Sequence, residues 1–254
     1  MSYAHRQLRE VFHLLFLSQL LKISDPAFYV LKGGINLRFF YRSPRYSEDM
    51  DIDVLGGSVS TLKKNGYKVL DGDILRRTLR GYGIADLLTS DRDKAKHTST
   101  TQRFRLQLVT EANEHLPTKV EFSRRIGEGK FLSEHIDRAV IFPYQQLTYA
   151  CQHYSAAVAA SQKLEALAYR DQAQARDVFD LYILHLGGHD LTALAETEPD
   201  TRDRALDQLF SLEFDDYRGQ VLPFLERDDI DRFGSREHWS RMRECTFRLL
   251  EGSP

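Results

Sequence analysis

Three aspartates, Asp49, Asp51 and Asp53, stand at alternate positions, interleaved with Met50, Ile52 and Val54. Side chains on a strand point alternately to opposite faces, so one orientation gathers the carboxylates and sends the apolar groups into a core. Strands disfavour aspartate, and like charges on one strand face repel. A divalent cation is the simplest group to offset that repulsion. Mg²⁺, or Mn²⁺ in its place, takes oxygen ligands, usually one or two carboxylates together with substrate phosphates. Carboxylates two residues apart on a strand can converge on ions about 3.5–4 Å apart, the spacing used in two-metal phosphoryl transfer. The same pattern is also compatible with a merely solvated acidic edge or a weak Ca²⁺ site, and the neighbouring residues must decide.

Those neighbours read as a device for holding phosphate. Phe28-Tyr-Val-Leu31 is a short apolar run suited to a buried strand. Gly33-Gly34 breaks it immediately before Ile35-Asn-Leu-Arg-Phe-Phe40, which can form a helical turn or two. A strand, a glycine turn and a helix N-terminus present backbone N–H groups to an anion. The order is a phosphate cradle, a short helix and an acidic strand.

At these residues the sequence resembles the AbiEii/AbiGii-type nucleotidyltransferase toxins of the DNA polymerase β-like superfamily. Lys32-Gly33-Gly34 matches the family's KGG-type turn, and Arg45-Tyr-Ser47-Glu-Asp49-Met-Asp51 matches its Arg-x-Ser-x-Asp-x-Asp block. The resemblance implies nucleotide-binding roles for Lys32, Gly33, Gly34, Arg45 and Ser47. It assigns the metal pair to Asp49 and Asp51 and leaves Asp53 a doubtful third ligand. In superfamily relatives a third carboxylate enters from a neighbouring strand, and Glu121 is the one good candidate.

With 254 residues the chain suits one large domain or two small ones. Cys151 and Cys245 give neither a disulfide framework nor a zinc spacing, no apolar run approaches a membrane span, and the N-terminus lacks a signal-peptide layout. A cytoplasmic protein without a membrane partner is expected. The net charge of −2 hides an asymmetry: Lys63 to Lys130 holds 15 Lys and Arg against 9 Asp and Glu, whereas Asp190 to the end holds 9 against 16. A basic middle with Arg76, Arg77, Arg80, Lys94, Lys96 and His97 fits either a solvated face or a track for nucleic-acid phosphates. No sequence-reading motif accompanies it.

Leu8, Val11, Phe12, Leu15, Phe16, Leu20 and Leu21 predict an amphipathic helix over residues 5–23, packed on the catalytic sheet. Ser58 or Ser60 could cap a helix through Leu62. Phe104, Leu106 and Leu108 mark a strand within Thr98–Thr110, and Pro117 is expected to separate it from a second strand, Thr118–Ser123, carrying Glu121. From Gln145 to Arg170 the chain is rich in alanine and leucine and free of glycine and proline, which predicts one long helix or two consecutive ones. Another helix is expected over Gln172–Leu186, ended by Gly187-Gly188.

On these helices the resemblance implies a second block, Lys followed by Arg-Asp-x-x-Asp, matched by Lys163 and Arg176-Asp177-Val-Phe-Asp180. A lysine suits a triphosphate because it places compact positive charge where the leaving group gains negative charge. Arg176 could bind phosphate or pair with a carboxylate. Asp177 is read as an organiser of Lys163 or of the metal-bound substrate, and Asp180 as structural. Short polar-faced helices without a motif are expected beyond residue 190.

The expected fold is α+β: a polymerase β-like mixed sheet with flanking helices over residues 1–143, followed by a helical domain over 144–254 that adds the Lys/Arg-Asp block to the site. The expected activity is transfer of a nucleotide from a triphosphate to RNA. The resemblance implies the tRNA 3′ end as acceptor, a block of translation, and a cognate antitoxin encoded alongside. Ser47 shares the aspartates' parity, so phosphorylation there would add nearly two negative charges to an acidic cluster; the simpler role is a hydrogen bond to a phosphate or to the glycine turn. The rival readings are another metal-dependent phosphoryl-transfer enzyme or nuclease, and a catalytically inactive RNA-binding module.

Overall fold

The structure is a computed structural model in which residues 3–90, 97–124 and 130–252 are described. Lys94 and Lys96 of the basic segment lie outside them. The chain divides into two compact units, one of residues Met1–Ile35 and Tyr46–His153, the other of Asn36–Arg45 and Tyr154–Pro254.

The first unit is built on a seven-stranded mixed sheet. It opens with α1 (His5–Ile23), whose Leu8, Val11, Phe12, Leu15, Phe16 and Leu20 are all buried as their spacing requires. β1 (Tyr29–Lys32) leads into α2 (Gly33–Phe40), which passes into the second unit at Asn36. β2 (Met50–Val54) is the acidic strand. α3 (Val59–Leu70) is capped by the Ser58 hydroxyl, which accepts from the Thr61 N–H. α4 (Asp73–Arg80) follows, then β3 (Ile84–Thr89), β4 (Thr101–Thr110), β5 (His115–Ser123), β6 (Phe131–His135), α5 (Arg138–Ile141) and β7 (Ala150–Tyr154).

The strand order is β3-β4-β5-β2-β1-β7-β6. β2 runs antiparallel to β1 and parallel to β5, and β7 runs parallel to β1. Helices α1, α3 and α4 pack on the face to which β4 turns Phe104, Leu106 and Leu108. At the closest approach a Cβ on Gly66 of α3 would sit 2.5 Å from Phe104 Cζ, so the helix needs glycine there to reach the sheet.

Two expectations are corrected. Pro117 does not end a strand but lies inside β5, opposite Gln107. The Lys119 N–H points toward the β2 side, where it meets Asp49 Oδ1, and the ring nitrogen of Pro117, two residues earlier, points the same way. The β2 ladder begins only at Val120, so the missing donor costs no ladder bond. Residues 145–170 are not continuously helical, because Ala150–Tyr154 forms β7. Burial of Cys151, His153 and Tyr154 and pairing to Val30 and Leu31 of β1 override the helical composition.

The second unit is helical: α6 (Ala156–Tyr169), α7 (Ala175–Leu186), α8 (Pro199–Ser211), α9 (Phe214–Gln220), α10 (Arg227–Phe233) and α11 (Arg236–Glu251). α6 packs on α7 and α8, and α7 on α9 and α11. Phe179, Tyr217, Phe233 and Trp239 centre the core, with the Tyr217 and Trp239 rings stacked at 4.9 Å. Leu37 belongs to this core, and Asn36 Nδ2 and the Tyr41 hydroxyl both donate to the Tyr154 carbonyl.

Candidate active site

The pairing register aligns Lys32 of β1, Asp51 of β2, Glu121 of β5 and Arg103 of β4 in one row across four adjacent strands. Paired residues share a face, so the row alternates one base, two acids and one base on the side away from α1. Two residues earlier along β5, Lys119 stands beside Asp49 and opposite Arg105 of β4.

Each acid but one has a cationic partner. The Lys119 ammonium is 3.0 Å from Asp49 Oδ2, while its backbone N–H donates to Asp49 Oδ1. Arg103 Nε donates to Glu121 Oε2. Lys32 Nζ donates to Asp53 Oδ1 at 2.5 Å, and Asp53 is buried. Asp51 makes no ion pair or side-chain hydrogen bond among the described residues. Burial raises its pKa, Glu121 and Asp49 push it further up, and Lys119 and Lys32 oppose them.

The glycine turn lies against this odd carboxylate. Gly33 adopts φ +65°, and a Cβ placed there would be 3.4 Å from Asp51 Oδ2. Gly34 follows in the first turn of α2, whose leading N–H groups have no acceptor within the helix. The start of β2 is pinned by its own hydrogen bonds. The Ser47 hydroxyl donates to the Asp49 carbonyl at 2.8 Å, and the Thr118 hydroxyl donates to the Glu48 carbonyl at 2.6 Å. Behind Thr118 stands His13 of α1, its Nε2 2.9 Å from Thr118 Oγ1.

The second block lies in the helical unit as a buried ionic cluster. Arg45 binds Asp180 through both Nε, at 3.1 Å, and Nη2, at 2.8 Å. Lys163 Nζ lies 2.6 Å from Asp180 Oδ2 and 3.1 Å from Asp177 Oδ1, and Arg170 Nε lies 3.3 Å from Asp177 Oδ2. Burial alone would raise the pKa of Asp180, but Arg45 and Lys163 outweigh it and hold the carboxyl below its ordinary value. Arg45 and Lys163 thus sit within ion pairs, while Arg176 is half-buried. In the basic segment Arg76 is bound to Asp86 and to the Leu87 carbonyl.

Among the described residues no three acid, histidine or cysteine side chains form a metal-binding group. A protein site for Mg²⁺ needs only one or two carboxylates when substrate phosphates complete the shell, and Asp49 and Asp51 offer hard oxygen donors for that purpose. Sequence reasoning missed Lys119 and Arg103. Lys119 shares parity with Glu121 on one strand, whereas Arg103 is set beside Glu121 by the β4–β5 register.

No curated protein matches the chain in sequence. In fold it is similar to JHP933 from Helicobacter pylori, with a TM-score of 0.53 at 18% identity over 99% of this chain and 95% of that one. It is also similar to MenT4, a nucleotidyltransferase toxin from Mycobacterium tuberculosis, with a TM-score of 0.54 at 19% identity over 97% of this chain and 84% of that one. Residues 15–251 match the family model of the nucleotidyl transferase AbiEii toxin of type IV toxin–antitoxin systems. With nearly its whole length matched, and with the glycine turn set against Asp51, the chain belongs to the AbiEii nucleotidyltransferase toxin family, a family that implies an antitoxin partner.

Proposed function

We propose that the enzyme transfers a nucleoside monophosphate from a nucleoside triphosphate to the 3′ end of RNA, with tRNA as the acceptor, and that this blocks translation. The observation that carries the reading is the approach of the Gly33 backbone to Asp51, in a row that also holds Glu121 and has Asp49 beside it. Triphosphate oxygens seated on the glycine turn then lie next to the carboxylates. Asp49 and Asp51 would hold Mg²⁺ or Mn²⁺. Such an ion supplies positive charge to the developing oxyanions and lowers the pKa of the acceptor hydroxyl.

The acceptor oxygen forms a bond to the α-phosphorus, the α–β phosphoanhydride bond breaks, and pyrophosphate leaves. Glu121 or Asp51 receives the hydroxyl proton. Lys32 is fixed by Asp53 at the end of β1, where its charge stands next to the glycine turn. For Lys163, Arg176 and Asp177 the family resemblance implies a part in the same reaction.

The test incubates purified protein and total tRNA with each of the four α-labelled nucleoside triphosphates and a divalent cation, comparing wild type with Asp49→Ala. Label is expected on RNA with wild type only. Shortened RNA without label would assign the carboxylates to a nuclease, and unlabelled intact RNA with all four nucleotides would refute the tRNA assignment. Lys163→Met and Asp177→Asn, checked for folding by circular dichroism, test the helical block in the same assay.

A further inference from the structure

A cavity of about 540 Å³ opens beside Asp49 on the sheet face that carries the charged row. Its size falls in the range of sites that enclose a small ligand, roughly 300–1,000 Å³. The register builds its floor. Leu88 of β3, Gln107 of β4 and Pro117 of β5 are successive partners across three strands, and the next row contributes Arg105 and Lys119. Leu88 is 44% exposed, and Pro117, two strands away across Gln107, is exposed as well. Arg105 is exposed, and among the described residues its side chain makes no ion pair or hydrogen bond.

The strand order places this cavity relative to the reaction. β2 lies between β1, which ends in the glycine turn, and β5, which begins the cavity floor. Attacking and leaving oxygens stand roughly in line on opposite sides of a phosphorus that undergoes transfer. With the leaving pyrophosphate on the glycine side of Asp51, the attacking hydroxyl arrives from the side of β5, β4 and β3.

We infer that this cavity is the seat of the acceptor, and that it takes the 3′-terminal nucleotide of a single-stranded RNA end. The inference rests on the transferase reading above. In this seat the terminal base lies across the row Leu88, Gln107 and Pro117, the preceding phosphate meets Arg105, and the terminal hydroxyl faces Asp49 and Asp51. A triphosphate does not fit the cavity as well. It would bring about four negative charges to a lining in which, among the described residues, Arg105 is the one cation outside an ion pair, since Lys119 is bound to Asp49.

The experiment has two arms. A short oligoribonucleotide ending in a photoreactive thiouridine is crosslinked to the wild-type protein and the attachment point is mapped. In parallel, transfer kinetics are compared for wild type, Arg105→Glu and Leu88→Ala, with circular dichroism confirming that each folds. Crosslinks are expected within residues 88–90, 105–107 or 117–119. Arg105→Glu should raise the KM for RNA by about tenfold or more and leave the KM for the triphosphate unchanged. It should also flatten the salt dependence of RNA binding by about 0.7 in log–log slope. Crosslinks elsewhere, an unchanged RNA KM in both variants, or a raised triphosphate KM would overturn the inference. Crosslinks in the cavity without any transfer would keep the RNA seat and refute the transferase reading. Transfer with crosslinks outside the cavity would do the reverse.

Discussion

Lowering the pH should weaken the fold through His13. The imidazole is fully buried on α1, with Nε2 2.9 Å from Thr118 Oγ1. Thr118 has a single hydroxyl proton, which goes to the Glu48 carbonyl, so its oxygen must accept from His13 and Nε2 must carry the hydrogen. Nδ1 is then bare, buried and without a hydrogen-bond partner among the described residues. A second proton would have no acceptor. Burial, with Arg9 adding repulsion, lowers the pKa from 6.5 to about 3. The unfolded chain therefore binds a proton that the folded chain refuses between these two values, so stability is lost as pH falls through 6.5 and the loss levels off near 3. The cost is about 2 kcal/mol near pH 5 and about 5 kcal/mol at the acid limit. Denaturant unfolding of wild type and His13→Gln at neutral pH and near pH 5 isolates the effect, because glutamine can still donate to Thr118 but does not titrate. The wild type should lose about 2 kcal/mol more than the variant. Equal losses in the two proteins would refute the reasoning.

Three substitutions test other parts. Asp180→Ala strips the buried Arg45 and Lys163 of their shared carboxylate and should cost about 3–5 kcal/mol in denaturant unfolding. Gly33→Ala forces a side chain into a left-handed backbone at φ +65° and places a methyl group 3.4 Å from Asp51 Oδ2. It should cost about 1 kcal/mol of stability and lower kcat in the labelled-nucleotide assay while the circular dichroism spectrum is kept. Ser47→Glu, which replaces a hydroxyl bound to the Asp49 carbonyl with a negative charge, should depress transfer and raise the triphosphate KM. Full activity in that variant would remove the basis for phosphorylation of Ser47 as an off-switch.

Much of the frame was legible in the residues because it rests on local rules. The apolar spacing of α1, the alternation in β4 and the Ser58 cap each name their element without help from the rest of the chain. β7 was hidden because Ala150–Tyr154 is made a strand by β1, 120 residues earlier, and not by its own composition. β6 has a mostly exposed burial pattern at the sheet edge and offered no periodicity to read. The acids of the site could be placed by parity on β2, whereas their cations could not. Lys119 becomes a neighbour of Asp49 through the pairing of β5 with β2, some 70 residues earlier, and Arg103 of Glu121 through the register of the β4–β5 hairpin. Arg45 and Asp180 meet across a separation of 135 residues, a contact that no local spacing announces.

The passage of residues 36–45 into the helical unit makes this protein hard to cut. The backbone changes unit three times, after Ile35, after Arg45 and after His153, so no single cleavage releases either half whole. A fragment ending at His153 would carry Arg45 without Asp180 and Leu37 without the core that buries it. The complementary fragment would keep Lys163 and Asp180 but lack Arg45. Truncation after His153 is therefore a poor way to assign activities to the halves, because it parts Arg45 from Asp180.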